Sequence, residues 1–327
     1  MGGDEGLPVG APAPQGGGML RLVHRPRSWE PVGPAGLSGG EAEFVLTGEL
    51  PHPHPGSGEG PRFYDLQASA EMVREIGEFL GQSHFGVPAN RTGIFYRFTV
   101  AAPDISAWRA QGARAALLTT LLRVRPDKVI DGVPRALEFR TELRIDDVPC
   151  GAGTANVVFL PPAVHRNHRV LSRAAVRAAP AGAAGPRQAV DPAEVGRTAP
   201  GHVLVHGPSG PAHGRLSVGV AVPPGWPLPP VTEHGHVPAA LQLEALRQTA
   251  LLTVGRVHRF AAERCALSSL EVHFRGYVEP GAALRCAAVA GGCGRDDGGR
   301  RQAPVTLTLA QAGRAVLEAV ATVTEDF

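Results

Sequence analysis

Three polar side chains at helical spacing stand out in the second half of this chain. Glu244, Arg247 and Gln248 fall at i, i+3 and i+4 within "VPAALQLEALRQTALLTVGRVH", so they share one helix face. Leu241, Leu243, Ala245, Leu246, Ala250, Leu251 and Leu252 surround them and leave little room for a wet surface. A carboxylate and a guanidinium placed there cost on the order of several kcal/mol to desolvate unless they are paired. They form either a buried ion pair or the polar wall of a pocket. In a pocket, the carboxylate of Glu244 can act as a general base, best with its pKa raised by burial, and Arg247 can grip a phosphate with two parallel hydrogen bonds. His236 precedes this stripe and lies just ahead of Pro238, a residue suited to the first turn of a helix. It therefore stands at a helix entrance, beside backbone N–H groups that can hold a carbonyl oxygen or an anion.

The first half carries a twin. In "LQASAEMVREIGEFLG", Glu71, Arg74 and Glu75 repeat the same spacing, while Met72, Val73, Ile76, Phe79 and Leu80 keep helical offsets. Glu78 also sits on this helix, so an exposed ion pair worth roughly a few tenths of a kcal/mol is an equal alternative there. Polar stripes at matching places in both halves point to a polar pocket between the halves. At the offset where the second helix has His236, the first has Phe63. That asymmetry favours one working site over two.

The elements that must position these residues also repeat. "MLRLVHR" and "AEFVLTGEL" read as strands before the first helix, and "TGIFYRFTVA", "ALLTTLLRVRP", "ALEFRTELRID" and "ANVVFLP" as strands after it. "RIDDVPCG" has the composition of a hairpin turn. In the second half "HVLVHGP" echoes the start, followed by "RLSVGVAVP", the loop "GWPLPPVTEHG", the long helix and four more strands. "GRDDGGRR" is a hairpin turn by composition. The expected class is α+β with an internal repeat, each helix buried against its own antiparallel sheet. The boundaries are a Gly/Pro-rich disordered stretch over 1–18, one repeat over 19–161, a linker over 162–201 with room for a short helix at "SRAAVRAA", and a second repeat over 202–327.

Bulk composition excludes several classes. The 327 residues are 43% apolar, enough to bury a real core, and their net charge of +2 gives no electrostatic case for nucleic acid. Lys128 is the only lysine, so the arginines reflect composition more than function. The four cysteines have no metal-ligand or paired spacing and read as reduced thiols. The His pairs in "PHPHP" and "EHGH" lack a third and fourth ligand at suitable spacing, so no metal is expected. No GxSxG, P-loop or dinucleotide fingerprint occurs, and no cofactor is expected. The first 18 residues have no apolar core, and no run approaches the roughly 18 apolar residues of a membrane span. A soluble, cytoplasmic protein is the expectation.

"LVHR", "LVHG", "AEMVREIGEFLGQSHFGVP", "DPAEVGR" and "HVPAALQLEALRQTALL" together resemble the A-factor biosynthesis hotdog repeat family, the γ-butyrolactone synthases of signalling pathways. Three positions depart from that pattern: Glu75 stands in place of Gln, Gly235 in place of an acidic residue, and Gly207 in place of Arg. The resemblance implies a double hotdog, with each central helix wrapped by a long antiparallel sheet and the two repeats paired as an internal pseudo-dimer. It implies transfer of a β-ketoacyl group from acyl carrier protein, or a CoA thioester, to a hydroxyl of dihydroxyacetone phosphate. It places functional residues at Glu71, Glu244 and Arg247, with Arg74 and Gln248 beside them. In a hotdog pair the histidine of one half can face the acid of the other, which sets His236 opposite Glu71. A hotdog dehydratase or thioesterase, or an acyl-binding regulator without turnover, is the alternative.

Overall fold

A computed structural model describes residues 21–25, 40–50, 63–110, 115–179, 188–222, 226 and 235–327. The expected disordered start, the Pro51–Pro61 loop with its His pair, and Glu233 and His234 lie outside the described residues. The first half contains β1 (Arg21–Arg25), β2 (Ala42–Leu50), α1 (Ala68–His84), β3 (Thr92–Ala101), β4 (Ala116–Ile130), β5 (Val133–Ile145) and β6 (Val148–Leu160). A helix α2 (Pro162–Ala178) follows. Then come β7 (Val205–His206), β8 (Arg215–Val220), α3 (Ala239–His258), β9 (Cys265–Phe274), β10 (Leu284–Ala290), β11 (Gly294–Arg295), β12 (Arg301–Gln311) and β13 (Arg314–Glu325).

All the strands join one antiparallel sheet in the order β1-β2-β4-β5-β6-β3-β9-β13-β12-β10-β8-β7, with β11 added at β12. Read outward from the β3–β9 junction, the two sides have the same connectivity, and this is the internal repeat in physical form. β3 and β9 pair antiparallel, with Phe98 opposite Val272 and Ala101 opposite Ser269. The repeat extends to local detail, because Tyr64 N–H donates to Trp108 O (2.8 Å) just before α1 and Val237 N–H donates to Val278 O (2.9 Å) just before α3.

Turn chemistry sets the register. Asp146 and Asp147, in the expected "RIDDVPCG" turn, both have positive φ (45° and 67°), and so do Asp131 and Gly132 (53° and 74°) between β4 and β5. Two consecutive left-handed residues make the hairpin turn that matches the twist of paired strands, and Asp tolerates that conformation.

Helices α1 and α3 both pack against strands of this sheet, yet they are seated differently. In α3 every residue from Leu241 to Val254 is buried, as its apolar surface requires. By contrast α1 buries Ala70, Met72, Val73, Gly77, Leu80 and Gly81 and leaves its opposite face partly open. Gly77 allows close seating, since a Cβ there would meet Phe95 Cζ at 2.4 Å.

The expected linker is more structured than its composition indicates. Its first 17 residues are α2, opened by Pro162 in the first turn. Only Arg169 is buried along it, so the helix presents no apolar stripe to the core, and the short helix expected at "SRAAVRAA" is its C-terminal part.

Candidate functional site

The short segment after α2 is built to deliver one side chain. Asp191 Oδ1 accepts from Ala193 N (2.9 Å) and opens a single 3-10 turn over Pro192–Val195, which ends at Gly196. Arg197 follows and enters the space between the two long helices. Its Nε donates to Glu244 Oε1 (2.9 Å), and its Nη2 lies 2.7 Å from both Glu244 Oε2 and Asp65 Oδ2. Asp65 and Gln67 sit at the start of α1, so the entrance of one helix abuts the middle of the other.

Around Glu244 the donors saturate the carboxylate. Oε1 also accepts from Arg247 Nη2 (2.9 Å) and Gln248 Nε2 (2.6 Å), and Oε2 from Gln67 Nε2 (3.0 Å) and Arg247 Nε (2.8 Å). Arg247 Nη2 donates further to Val195 O (3.1 Å), and Asp65 Oδ1 lies 3.5 Å from Arg247 Nε. The Gln248 amide links this network to His202 O and Leu204 N. Glu244 and Arg247 are each 6% exposed and Gln248 is fully buried. Desolvation alone would raise the pKa of Glu244, but Arg197 and Arg247 outweigh it and hold it down at about 2. Burial opposes the charge on Arg197 as well, yet Asp65 and Glu244 push its pKa upward.

One expectation about this stripe therefore changes. The pKa of Glu244 moves down rather than up, because two guanidiniums reach it where the sequence displays one. Arg247 commits Nε and Nη2 to Glu244 and Val195. The adjoining cavity, lined by Asp65, Gln67, Arg247 and Cys265 among others, measures about 20 Å³, room for about one water.

The stripe on α1 has the opposite character. Glu71 Oε2 accepts from Arg74 Nε (2.9 Å), while Glu71 Oε1 is buried with no hydrogen-bond partner. Arg74 keeps 40% of its side-chain surface exposed and makes no other ion pair among the described residues. Glu75 has its pKa raised by desolvation, opposed by Arg74 and aided by Glu71. Glu78 Oε1 accepts from Gly93 N (3.2 Å).

His236 stands at the entrance of α3, with its ring 5.2 Å from that of Tyr277. Its Nδ1 lies 3.2 Å from Val237 O, and a carbonyl only accepts, so the proton of that bond belongs to Nδ1. No hydrogen bond joins His236 to Glu71, whose free oxygen has no partner. The Tyr277 hydroxyl is likewise buried without a partner, and burial pushes its pKa up to about 12, with Glu279 and Glu78 adding and Arg169 opposing. No side chain caps α3 at Pro238.

Gly235 adopts φ 72°, which a residue with a side chain rarely does, and its carbonyl accepts from Arg169 Nη2 (2.8 Å). The departure from the family pattern at this position thus has a backbone reason. Arg197, Asp65, Gln67 and Tyr277 were not among the expected site residues. Only Arg197 left a signal: "DPAEVGR" has a capping Asp, a Pro in the first turn and a terminating Gly directly before an Arg. Cys150 and Cys286 are buried, with pKa values pushed up to about 12 by desolvation, and all four cysteines are free thiols. Among the described residues no helix is long and apolar enough to cross a membrane.

A 2-oxo-3-(phosphooxy)propyl 3-oxoalkanoate synthase of Streptomyces coelicolor is 27% identical over 241 residues, covering 72% of this chain and 72% of that protein. A Lactobacillus plantarum protein described as an oleoyl thioesterase superposes with a TM-score of 0.52 at 9% identity, covering 87% of this chain and 96% of that one, a likeness of fold alone. The fold is a double hotdog. The model of the A-factor biosynthesis hotdog domain matches residues 178–325, the stretch that supplies Arg197, His236, Glu244, Arg247, Gln248 and Tyr277.

Proposed function

We propose that the chain is an acyltransferase that moves a β-ketoacyl group from a carrier-bound or CoA-bound thioester to a hydroxyl of a small phosphorylated acceptor such as dihydroxyacetone phosphate. The similarity to the Streptomyces coelicolor synthase supports the reaction class. The observation that carries the site is the contrast between the stripes: Glu244 has every lone pair engaged, whereas Glu71 keeps one buried oxygen unpaired beside a half-open Arg74.

On this reading Glu71 is the general base and takes the proton of the acceptor hydroxyl. The hydroxyl oxygen attacks the thioester carbonyl carbon. Uncapped N–H groups at the start of α3, with His236 beside them, stabilise the oxyanion as it develops. The intermediate collapses with cleavage of the C–S bond, the thiolate regains a proton from Glu71, and an ester and a free thiol leave. Arg74 holds the acceptor's phosphate with its Nη groups while its Nε keeps Glu71 in place. Glu244, Arg247 and Gln248 act as positioning residues that lock α1 against α3.

Incubation with a β-ketoacyl thioester, with and without dihydroxyacetone phosphate, tests the proposal by mass spectrometry. The expected product is the phosphorylated ester, formed only when the acceptor is present. Free β-keto acid without acceptor would mark a thioesterase, and tight thioester binding without turnover would mark a binding protein.

A further inference from the structure

Helix α2 has a surface that the acyl-transfer site does not use. Across Pro162–Ala178 there are four arginines and two histidines and no acidic residue, in a chain whose net charge is only +2. Arg166, Val170, Arg173 and Arg177 follow one another at i, i+4, i+7 and i+11, so they form one stripe, and all are exposed. His168 and Leu171 are exposed beside it. Val170 and Leu171 are 64% and 66% exposed. Arg166 and Arg177 have no partner among the described residues, and Arg173 reaches only Glu279, at 3.7 Å. Cations of one sign on a single helix repel each other, and no contact among the described residues offsets the charges of Arg166 and Arg177.

The inner face shows where this surface is anchored. Arg169 is buried, donates from Nη1 to Glu279 Oε1 (2.7 Å) and from Nη2 to Gly235 O (2.8 Å), and stacks 4.7 Å from the Tyr277 ring centroid. Ser172 Oγ donates to Tyr277 O (3.3 Å). The helix is thus fastened to the two segments that carry His236 and Tyr277, and its basic stripe borders the α3 entrance.

We infer that the exposed face of α2 is the docking surface for an acidic carrier protein, whose acidic helix lies along Arg166, Arg173 and Arg177 with apolar contact at Val170 and Leu171. This inference rests on the acyl-transfer reading, because it supplies the protein that presents the thioester. Charge complementarity selects an acidic partner, the exposed Val–Leu pair selects a folded helix over a free anion, and the anchor places the partner's thioester arm beside His236.

The test compares wild type with R166E/R173E/R177E and with R166E/R177E, the latter changing only side chains that bond nothing in the fold. Binding of holo-acyl carrier protein is measured by biolayer interferometry at low and high salt. Transfer is measured from a β-ketoacyl carrier protein and from a β-ketoacyl N-acetylcysteamine thioester. The expected result is a tenfold or greater rise in Kd for the carrier in both variants, a loss of the salt dependence, and an equal fall in kcat/KM with the carrier-bound substrate but not with the small thioester. Unchanged carrier affinity in both variants would overturn the inference. So would charge-dependent binding to anionic phosphatidylglycerol vesicles or duplex DNA in place of the carrier. Salt-sensitive carrier binding lost in the variants, with no transfer from either thioester, would uphold the docking surface and reject the acyl-transfer reading.

Discussion

The polar stripes of α1 and α3 share one spacing and differ in almost every other physical respect. On α3, Glu244 sits under a complete shell of donors, and Arg197 arrives from outside the repeat to finish it. On α1, the equivalent Glu71 has one partner, Arg74, and one buried oxygen with none. The difference lies in the entrances. Asp65 and Gln67 lead into α1 and reach across to the α3 stripe, whereas Gly235 and His236 lead into α3 and bring no carboxylate or amide to the α1 stripe. A carboxylate with all its lone pairs used holds a fold together. One that keeps a lone pair out of water is a candidate for chemistry.

The largest expected effect breaks the α3 side. Glu244→Gln leaves the guanidiniums of Arg197 and Arg247 with Asp65 as their only anion among the described residues, and should cost about 3–5 kcal/mol of stability in urea or thermal unfolding. A loss below about 1 kcal/mol would mean that this network is not the clamp described. The same group sets an acid limit. Its folded pKa of about 2 lies below the ordinary carboxylate value of 4.5, so its contribution is fully present above pH 4.5 and declines as pH falls towards 2. Acid unfolding of wild type should steepen within that window, and the Gln variant should lose that component.

On the α1 side the next effect is kinetic. Glu71→Gln should lower kcat by about 10²-fold or more while leaving the melting temperature almost unchanged, since only the link to Arg74 is altered. Full turnover in this variant would remove Glu71 from the base role and reopen the question for Glu75. Arg74→Ala should act mainly on the acceptor, raising its KM about tenfold to a hundredfold with little change for the thioester, as loss of a charge-assisted phosphate contact does.

Much of this contrast was readable before the fold was known, and the remainder has physical reasons for being hidden. β2 and β3 coincide with the predicted "AEFVLTGEL" and "TGIFYRFTVA", because alternation bounded by turn residues is a local signal. The apolar surface of α3 foretold its burial. The direction of the Glu244 pKa was not readable, because it depends on Arg197, far away in sequence and in a segment taken for a linker. The short helix expected at "SRAAVRAA" is the C-terminal part of α2. The rest of α2 was hidden for a different reason: its single buried residue is an arginine, and Arg169 becomes meaningful only once Glu279 and Gly235 are seen beside it.

The smallest expected effect separates the two helix entrances most finely. The Tyr277 hydroxyl is buried without a partner among the described residues, next to His236 and within reach of Glu78. A buried hydroxyl with no hydrogen bond is a net cost to folding of about 1–3 kcal/mol relative to its hydrated state in the unfolded chain. Tyr277→Phe keeps the ring against His236 and the stacked Arg169 and deletes only the cost, so the variant should be more stable by about 1 kcal/mol in urea unfolding. Natural sites keep such groups when a ligand satisfies them, so the same variant should bind the thioester less tightly than wild type. A variant that is destabilised would show that the hydroxyl already has its partner within the fold. The α3 entrance would then be as closed as the Glu244 network, and the asymmetry between the stripes would rest on Glu71 alone.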